Sequence, residues 1–348
     1  MNLCVKKIIP ETADTRTYVF ENVDRQPVHY QPGQFLTFLL PGISTPVGHE
    51  VRRSYSMSSA PGVDARLAIT VKRVANGEIS RYWHSQVQEG TCLKALPPAG
   101  RFTPDPAPEN RPRDIVLIGA GSGITPLFSI LKYVLTFEPE SRVTLLYASR
   151  RERDIIFREQ LEEWQQRYPE RLEIMHVLSQ PTDEWTGTRG RINNTRLERI
   201  VGQKIHFQES DARFFLCGPF ELMRTVEITL LFMGFGSEQI RKENFVIDTI
   251  PPPPKRSEPH TILLRFRGQE HTLPVPAYTT ILQAGLDRGI PIPYSCKGGR
   301  CATCAALCRS GNVRMSLNDV LTERDLAQGW VLTCTAYPEE DDVVMELV

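Results

Sequence analysis

The sequence lacks an excess of charge of either sign, because its 348 residues carry 41 Lys and Arg against 41 Asp and Glu. Such a balance gives no electrostatic field suited to a nucleic acid or to an anionic membrane. No apolar stretch approaches the length of a membrane span, and the first residues hold two lysines without the hydrophobic core of a signal peptide. We therefore expect a cytoplasmic globular protein, with neither nucleic acid nor membrane as a partner.

Cysteine is also scarce, since eight residues in a chain of this length do not indicate a disulfide framework. Four of them are grouped near the C-terminus, with Cys296, Cys301 and Cys304 in a C-x4-C-x2-C run and Cys334 farther along. Plant-type [2Fe–2S] ferredoxins bind their cluster with this spacing. Zinc also accepts four thiolates, but structural zinc sites usually show two C-x2–4-C pairs, and the second pair is missing here. The pattern predicts a [2Fe–2S] cluster, with zinc as the alternative.

Two glycines inside the cysteine loop, Gly298 and Gly299, predict a tight turn close to the cluster. Cys308 follows soon after the loop, but we expect it to belong to an outgoing strand as a small buried apolar side chain. A one-electron centre needs a source of electrons, so the rest of the chain should contain one.

Two Pro-rich stretches divide the chain into three predicted domains, since 348 residues exceed one ordinary domain. The first stretch, residues 104–112, separates a β-patterned region from an α/β-patterned one. The second, residues 251–254, indicates an extended, semi-rigid spacer. The predicted domains are residues 1–107, 111–250 and 260–348, with a linker at residues 251–259.

Residues 1 to 103 are patterned as short strands interrupted by turn signals, which predicts a small antiparallel barrel. Two short segments stand out in this region: Arg53-Ser54-Tyr55-Ser56 and Gly77-Glu78-Ile79-Ser80. An arginine fork can neutralise a diphosphate, and the free N–H groups at a helix start can receive one. The alternative for the first segment is a solvated arginine beside a half-buried tyrosine.

These segments resemble the R-x-Y-S and G-x-x-S signatures of the ferredoxin–NADP reductase family. The residues that the resemblance assigns to flavin binding are Arg53, Ser54, Tyr55, Ser56, Gly77, Ile79 and Ser80. It implies that Arg53 and Ser80 bind phosphate and that Tyr55 packs on the isoalloxazine. Ser56 would be a catalytic residue that hydrogen-bonds near the reactive N5. The second segment exists in that family to hold a second phosphate, so it favours FAD over FMN.

A continuous apolar run at residues 114–118 predicts a buried parallel strand, and it leads through a glycine-rich turn into a helical pattern. Such a turn places backbone N–H groups and a helix N-terminus against a diphosphate. We expect Thr125 to cap the helix and Pro126 to occupy its first position. The predicted nucleotide-binding residues are Gly119, Gly121, Gly123, Thr125 and Pro126. The reductase family shows the same G-x-G-x-x-P form.

The next predicted strand ends in Ser149 and Arg150, where the choice between NAD and NADP is usually made. An acidic residue there would bind the ribose hydroxyls, whereas arginine accommodates a 2′-phosphate. We therefore expect NADPH, with NADH possible, and take Ser149 and Arg150 as nucleotide ligands. The competing interpretation is a solvated helix start in which the arginines pair with Glu152 and Asp154.

A further buried strand, at residues 213–216, leads into Cys217, Gly218 and Pro219, which resemble the C-G-P segment of the family. The resemblance implies that Cys217 is catalytic, beside the nicotinamide as hydride passes to the flavin, and that Gly218 and Pro219 bind the nucleotide. Glu243-Asn244-Phe245 resembles the segment that closes this domain in the family, which implies that Phe245 shields the flavin. The alternative for Cys217 is a buried free thiol at a strand end.

The C-terminal region, two strands and a helix ahead of the cysteine loop, resembles the ferredoxin β-grasp. The resemblance thus spans the chain and implies a multidomain fold: an antiparallel FAD-binding β-barrel, a Rossmann-like NAD(P)-binding α/β domain and an α+β ferredoxin domain. It implies an oxidoreductase passing electrons from NADPH to FAD, to [2Fe–2S] and to an external acceptor. A flavin suits this route because it links hydride chemistry to one-electron chemistry.

The expected acceptor is the oxygenase component of a multicomponent monooxygenase of the phenylacetyl-CoA epoxidase kind. Three alternatives remain open from the sequence. The chain could serve another oxygenase or redox partner. It could be a redox-sensing regulatory protein, coloured but with little turnover. It could also be a binding protein with structural zinc, which would be colourless.

Overall fold

The computed structural model of this chain describes residues 1–24, 26–41, 50–106, 111–245 and 252–347. It divides into two units, Met1–Phe245 and Val246–Val348, each with its own hydrophobic core. Residues 107–110 of the first Pro-rich stretch and Pro251 of the second lie outside the described residues. None of the helices in the described ranges is long and apolar enough to cross a membrane.

The N-terminal part of the first unit contains six strands and a helix: β1 (Asn2–Thr12), β2 (Thr15–Asn22), β3 (Phe35–Pro41), β4 (Glu50–Ser56), β5 (Leu67–Lys72), α1 (Glu78–Gln86) and β6 (Cys92–Ala95). The strands pair antiparallel in the order β4-β3-β6-β1-β2-β5. A bridge between Met57 and Ile69 links the two edges and closes the predicted barrel. Alternation along β2 turns Tyr18 and Phe20 inward, where both pack on Trp83 of α1.

The second part of the first unit is a parallel sheet flanked by helices. Its elements are β7 (Asp114–Ala120), α2 (Ile124–Phe137), β8 (Arg142–Ser149), α3 (Arg158–Arg167), β9 (Leu172–Leu178), β10 (Thr188–Arg189), α4 (Asn194–Lys204), β11 (Arg213–Cys217), α5 (Phe220–Phe232) and β12 (Ile240–Glu243). The order β10-β9-β8-β7-β11-β12 reverses between β7 and β11. Ligands of such sheets bind outside the carboxyl ends of the strands at this reversal.

Helix α2 begins earlier than the sequence predicts. Its N-cap is Gly123 and its first residue is Ile124, so Thr125 is not the cap and Pro126 is the third helical residue. The Thr125 hydroxyl instead donates to the Ser122 carbonyl oxygen at 2.8 Å. Proline is tolerated at this position because the first-turn N–H groups of a helix have no intrahelical partner.

The second unit has the predicted β-grasp arrangement. Its elements are β13 (His260–Phe266), β14 (Gln269–Val275), α6 (Ile281–Asp287), β15 (Ala305–Ser310), β16 (Val313–Met315), α7 (Glu323–Ala327), β17 (Trp330–Leu332), β18 (Ala336–Pro338) and β19 (Val344–Leu347). Five strands form a mixed sheet in the order β14-β13-β19-β15-β17, in which β13 and β19 are parallel. Buried residues of α6 complete the core on this sheet.

Two features of the cysteines differ from expectation. Cys4 in β1 and Cys92 in β6 stand opposite each other and form a disulfide. The register of the two strands brings them together, and the spacing of the cysteines in the sequence does not indicate this pairing. Cys308 lies in β15, as predicted, but it is half-buried. Its thiol donates to the carbonyl oxygens of Ser310 and Gly311 at 3.3 and 3.4 Å, so it is a polar contact of the strand end.

Candidate functional site

The R-x-Y-S segment forms the end of β4, at an edge of the antiparallel sheet. Arg53 is exposed, and its guanidinium donates to the preceding carbonyl oxygen at 2.8 Å. The ring of half-buried Tyr55 packs edge-on against Trp83, with centroids 5.4 Å apart, and burial raises the pKa of the Tyr55 hydroxyl. Ser54 shares a hydrogen bond of 2.9 Å with Thr37 on β3. Alternation places Arg53 and Tyr55 on one side of the strand, where a flat phosphorylated ligand could meet both.

The G-x-x-S segment starts α1, with Gly77 as its N-cap and no side-chain cap. The Ser80 hydroxyl donates to the Gly77 carbonyl oxygen at 2.9 Å and accepts from the Val74 N–H at 3.0 Å. Ile79 is 5% exposed and lies in the barrel core. A diphosphate at this helix start would therefore meet backbone N–H groups, while Ser80 holds the turn in shape and Ile79 offers only its backbone.

Three buried side chains from different strands meet within the first unit. Ser56 Oγ, at the end of β4, donates to Glu243 Oε2 at 2.6 Å. Glu243 ends β12 in register with Cys217, the last residue of β11. The exposed fractions of Ser56, Cys217 and Glu243 are 4%, 0% and 7%. Glu243 thus links the two segments that carry the predicted catalytic residues, a role that the resemblance of Glu243-Asn244-Phe245 did not predict.

Burial sets the ionisation of this site. It raises the pKa of Glu243 to about 8, although the hydrogen bond from Ser56 opposes the shift. It also raises the pKa of the Cys217 thiol well above its usual value, and the Glu243 carboxyl adds to that shift. Both groups are therefore mainly protonated and neutral at pH 7. A neutral site from which bulk water is excluded is suited to hydride transfer.

The glycine-rich turn packs directly on the C-G-P segment. A Cβ at Gly123 would overlap the carbonyl oxygen of Cys217, and one at Gly119 would lie 3.1 Å from the same atom. Gly121 has φ of +55° and open space around it, and its carbonyl oxygen accepts a hydrogen bond from Tyr147 at 2.9 Å. Only glycine allows the turn to approach the end of β11 so closely.

The other predicted cofactor-binding residues differ in where they lie and in how exposed they are. Gly218 lies against the backbone of the turn, and exposed Pro219 is the N-cap of α5. Thr125 and Pro126 are buried in the first turn of α2, where they shape the helix start. Phe245 is 45% exposed at the end of the described part of this unit.

A cavity of about 680 Å³ opens beyond the end of β8. Its lining includes the guanidinium-bearing side chains of Arg151, Arg153 and Arg158, and it begins one residue past the predicted ligands Ser149 and Arg150. Glu152 and Glu184 line it as well, and Arg158 is ion-paired with Glu162 at 3.2 Å.

Glu152 begins a one-turn 3-10 helix at this cavity, Glu152–Asp154, and its carboxylate bonds to a segment outside that turn. Its carboxylate accepts hydrogen bonds from the backbone N–H and hydroxyl of Thr182, at 2.9 and 2.7 Å. The Glu152 backbone N–H and the Thr182 hydroxyl hold the pKa of this carboxyl below its usual value. These hydrogen bonds connect the segment after β9, which contains Thr182, to the turn after β8, which contains Glu152.

The four C-terminal cysteines come together in the second unit. Cys296, Cys301 and Cys304 lie on the segment between α6 and β15, and Cys334 follows β17. The Cys296 thiol is within hydrogen-bonding reach of Cys301 and Cys334, and the Cys304 thiol reaches Cys334. In the described part of the chain, no three His, Cys, Asp or Glu side chains are arranged around a single metal ion. The thiols form a chain of pairs, which fits ligands shared between two irons.

The backbone of the cysteine loop has several left-handed residues and an N–H group that meets the Cys296 sulfur. Of the two predicted turn glycines only Gly299 has a left-handed φ, +71°, and Lys297 and Ala302 adopt the same region at +52° and +55°. The Gly298 N–H donates to Cys296 Sγ at 3.3 Å. The neighbouring Cys301 and Cys334 thiols, with these N–H groups, lower the pKa of Cys296. Left-handed residues on either side of an N–H that meets sulfur are expected where a cluster is bound.

Three protein-family models match the chain in succession. An oxidoreductase FAD-binding domain matches residues 2–103, an oxidoreductase NAD-binding domain matches residues 117–227, and a 2Fe-2S iron-sulfur cluster binding domain matches residues 264–339. Their order is the one that the motifs predict. The last match decides between a [2Fe–2S] cluster and zinc, and the first supports FAD.

Curated relatives match almost the whole length. The ferredoxin reductase component of 3-ketosteroid-9-alpha-monooxygenase from Rhodococcus rhodochrous is 35% identical, over 99% of this chain and 96% of its own. A component of 1,2-phenylacetyl-CoA epoxidase from Escherichia coli (strain K12) is 34% identical, over 99% and 97%. The reductase subunit of glycine betaine monooxygenase from Chromohalobacter salexigens is 30% identical, over 97% and 92%.

Solved structures agree in fold. Phthalate dioxygenase reductase, a modular protein for electron transfer from pyridine nucleotides to [2Fe-2S], covers all of this chain with a TM-score of 0.60 at 22% identity. An intact type IV self-sufficient cytochrome P450 monooxygenase gives a TM-score of 0.74 at 20% identity, over 99% of this chain and 41% of that longer one.

Proposed function

Because this chain belongs to the family of ferredoxin reductases that combine FAD-binding, NAD-binding and [2Fe–2S] domains, we propose that it carries electrons from NADPH to the oxygenase component of a multicomponent monooxygenase. The observation that carries the proposal is the meeting of Ser56, from the flavin barrel, with Glu243, beside Cys217 on the nucleotide sheet. A flavin on β4 and a nicotinamide at the end of β11 would meet there. The cysteine loop of the second unit then provides the one-electron exit.

When bound, FAD supplies the change from hydride to single-electron chemistry, and the cluster takes electrons one at a time. The residues of the chain bind and orient these groups. Arg53 and the N-terminus of α1 neutralise the FAD diphosphate, and Tyr55 offers its ring to the isoalloxazine. Glu243 fixes the direction of the Ser56 hydroxyl, and Cys217 forms the wall on which the nicotinamide rests. The burial of all three excludes water from the path of the hydride.

We assign the 2′-phosphate of NADPH to the cavity beyond β8. Arg151, Arg153 and Arg158 provide forked donors suited to a phosphate. The lining also contains two carboxylates, Glu152 and Glu184, of which Glu152 is held by the Thr182 segment. Arg158 is also paired with Glu162 at 3.2 Å, so the exposed Arg151 and Arg153 are the donors that favour a 2′-phosphate, and hence NADPH over NADH. Ser149 and Arg150, at the start of the same turn, are proposed ligands of the adjoining ribose.

We propose an oxygenase of the phenylacetyl-CoA epoxidase kind as the client. Support comes from 34% identity over 99% of the chain to a component of that epoxidase. The reductase component of a 3-ketosteroid-9-alpha-monooxygenase is similar to the same extent, so a steroid-hydroxylating oxygenase is the second candidate.

Anaerobic titration of the purified protein tests the reductase function. We expect iron and acid-labile sulfide in the preparation, and bleaching of both flavin and cluster absorbance by NADPH at lower concentration than by NADH. A folded, colourless protein, or one that neither nucleotide bleaches, would contradict the proposal. Bleaching at equal concentrations of both nucleotides would contradict the NADPH preference alone.

Reconstitution with purified oxygenase components tests the client. We expect NADPH-dependent epoxidation of phenylacetyl-CoA when the chain is mixed with the oxygenase components of the epoxidase. Coupling to the steroid oxygenase but not to the epoxidase would assign the second candidate.

A further inference from the structure

Strand β12, at the edge of the parallel sheet, presents different side chains on its two faces. Ile240 lies in the core under α5, and Lys242 Nζ donates to Glu227 of the same helix at 2.7 Å. Because side chains alternate along a strand, Arg241 and Glu243 share the opposite face, about 7 Å apart. Both are buried, so this face of β12 carries two polar side chains that are shielded from water.

Arg241 reaches from this face to the segment that leads out of the flavin barrel. Its Nη1 donates to the Arg101 carbonyl oxygen at 3.1 Å, and its Nη2 donates to Asp105 Oδ1 at 3.0 Å. Between these two acceptors, buried Phe102 packs its ring edge-on against Phe215, which pairs with Arg241 in the sheet. One forked side chain thus ties both ends of this segment to β12.

The barrel is therefore attached to β12 at two points on one face. Glu243 accepts a hydrogen bond from Ser56 of the barrel, and Arg241 holds residues 101–105. A single hydrogen bond would let the barrel pivot about it, whereas two separated contacts resist that rotation. The proposed hydride site lies beside Glu243, so the angle between barrel and strand sets how a flavin on the barrel faces a nicotinamide on the sheet.

We propose that Arg241 is a positioning residue for hydride transfer, which keeps the flavin barrel at the distance and angle from the nucleotide sheet that the reaction needs. The inference rests on the proposed function, since it concerns the step in which the C4 hydrogen of NADPH passes with both bonding electrons to oxidised FAD. That step leaves NADP⁺ and anionic reduced FAD. Misplacing reacting atoms by about 1 Å can slow such a step about 100-fold, so a residue that acts only on orientation can matter for the rate.

The first test measures flavin reduction by NADPH in the holoenzyme, in a stopped-flow instrument. Arg241→Ala should slow the limiting rate roughly 10- to 100-fold and leave the apparent Kd for NADPH nearly unchanged, because the glycine-rich turn and the cavity beyond β8 are intact. With NADPH deuterated at the transferred position, the variant should show an isotope effect at least as large as the wild type. A wild-type rate in the variant would overturn the inference, as would a slower rate without an isotope effect.

Arg171→Ala is the matched control for general loss of stability. Arg171 is also half-buried, and its guanidinium donates to the Leu135 and Glu138 carbonyl oxygens at 2.7 and 2.8 Å, entirely within the nucleotide part. Its variant should lower the melting temperature but leave the rate of flavin reduction unchanged. If Arg171→Ala and Arg241→Ala slow the reduction equally, destabilisation explains both and the positioning role is wrong.

Two further measurements need no turnover. Amide hydrogen exchange at residues 101–105 should be faster in Arg241→Ala than in the wild type, in oxidised protein without nucleotide. The long-wavelength absorbance that a nicotinamide stacked on a reduced flavin produces should weaken in this variant at saturating NADP⁺ and persist in Arg171→Ala. Unchanged exchange together with unchanged absorbance would contradict the proposal.

The partner residue gives an independent check. Asp105→Ala removes one acceptor and leaves the Arg101 carbonyl oxygen, so it should slow flavin reduction less than Arg241→Ala does. The double variant should be no slower than Arg241→Ala alone, since both changes break the same contact, and additive losses would count against it. Arg241→Lys keeps the charge without the fork and should give a smaller slowing, which preserves the test if the alanine variant does not fold. A wild type that does not oxidise NADPH would instead refute the proposed function, a different result from a fast Arg241 variant.

Discussion

Glu243 is a carboxyl group held in its neutral form by its surroundings, and this has consequences for the stability of the protein. Burial raises its pKa from 4.5 to about 8, and the Ser56 hydroxyl supplies a hydrogen bond that only partly offsets the loss of water. The native state therefore binds a proton that the unfolded chain releases above pH 4.5. Between pH 4.5 and 8 Glu243 is ionised in the unfolded chain but protonated in the native state, so raising the pH favours unfolding. The free energy of unfolding stops falling once the native carboxyl has ionised as well.

Removing this acid should flatten the dependence of stability on pH. The contribution of Glu243 to the free energy of unfolding is fully present below pH 4.5. It is lost as pH rises through about 8, and the loss is a few kcal/mol at most. Glu243→Gln keeps the shape and a hydrogen-bond acceptor for Ser56 but does not ionise. We expect the melting temperature of the wild type to fall relative to Glu243→Gln as pH is raised from 5 to 8.

The control for this measurement is Glu238→Gln, a change at an exposed glutamate just before β12. It should follow the wild-type curve at every pH. A constant difference between wild type and Glu243→Gln from pH 5 to 9 would show that the native carboxyl ionises at its ordinary pKa.

At the level of residues, short sequence motifs identified two members of the buried site, Ser56 and Cys217, but not the third, Glu243. Ser56 and Cys217 stand in recognisable tetrapeptide and tripeptide signatures. Glu243 stands in the segment Glu243-Asn244-Phe245, whose resemblance assigned a role to Phe245 alone, and it meets Ser56 across 187 positions of sequence. Its role depends on which residue of β12 faces Cys217 in the sheet, and strand register of that kind is set by tertiary packing.

At the level of elements, the glycine-rich turn shows which part of a strand-to-helix signal can be predicted. The strand, the turn and the helix were all predictable, because a buried apolar run, three glycines and an apolar periodicity follow one another. The helix boundary was not, since Thr125 and Pro126 are both acceptable as cap and first residue by local propensity. The backbone of Gly123 instead takes the cap position, against the end of β11.

A methyl group at Gly123 should therefore damage both stability and nucleotide binding. Its Cβ would overlap the Cys217 carbonyl oxygen, which belongs to the backbone and cannot rotate away. We expect Gly123→Ala to lower the free energy of unfolding by roughly 1–3 kcal/mol, as overpacked sites do, and to raise the KM for NADPH. Thermal melts and steady-state kinetics measure the two effects.

Gly202→Ala provides the matched comparison, because Gly202 lies in α4 with no atom within 4 Å of an added Cβ. It should stabilise the protein by roughly 0.5–1 kcal/mol through helix propensity and leave kinetics unchanged. If Gly123→Ala were as stable as Gly202→Ala, close packing of the turn on β11 would not be the reason for a glycine there.

At the level of the whole molecule, the chain places its hydride chemistry and its one-electron chemistry on two separate units, Met1–Phe245 and Val246–Val348. The sequence predicted the order of these parts because each carries a compact signature, in particular the cysteine loop. The disulfide between Cys4 and Cys92 was not predicted, since only the pairing of β1 with β6 brings them together.

The spacer at residues 251–254 enters the second unit at a fixed point. Arg314 donates to the Arg256 carbonyl oxygen at 2.7 Å, and the Ser257 hydroxyl accepts from the Tyr278 N–H at 3.0 Å. The chain is therefore tied to the second unit from Arg256 onward. We propose that the spacer before this point lets the ferredoxin unit alternate between the flavin and the client, with proline limiting how far the spacer can collapse.

Deleting residues 251–254 should slow delivery of electrons to a protein acceptor such as cytochrome c far more than NADPH oxidation by ferricyanide. Ferricyanide is a small oxidant that can take electrons at the flavin, whereas the protein acceptor depends on the ferredoxin unit reaching both partners. Cys304→Ser, which removes a predicted cluster ligand, is the reference for the largest possible loss in the rate of cytochrome c reduction. A Gly-Ser spacer of equal length should restore most of the rate if reach is what matters, and only part of it if stiffness also contributes. Equal slowing with both oxidants would instead mean that the deletion disturbs the flavin unit, and the alternating role of the spacer would have to be abandoned.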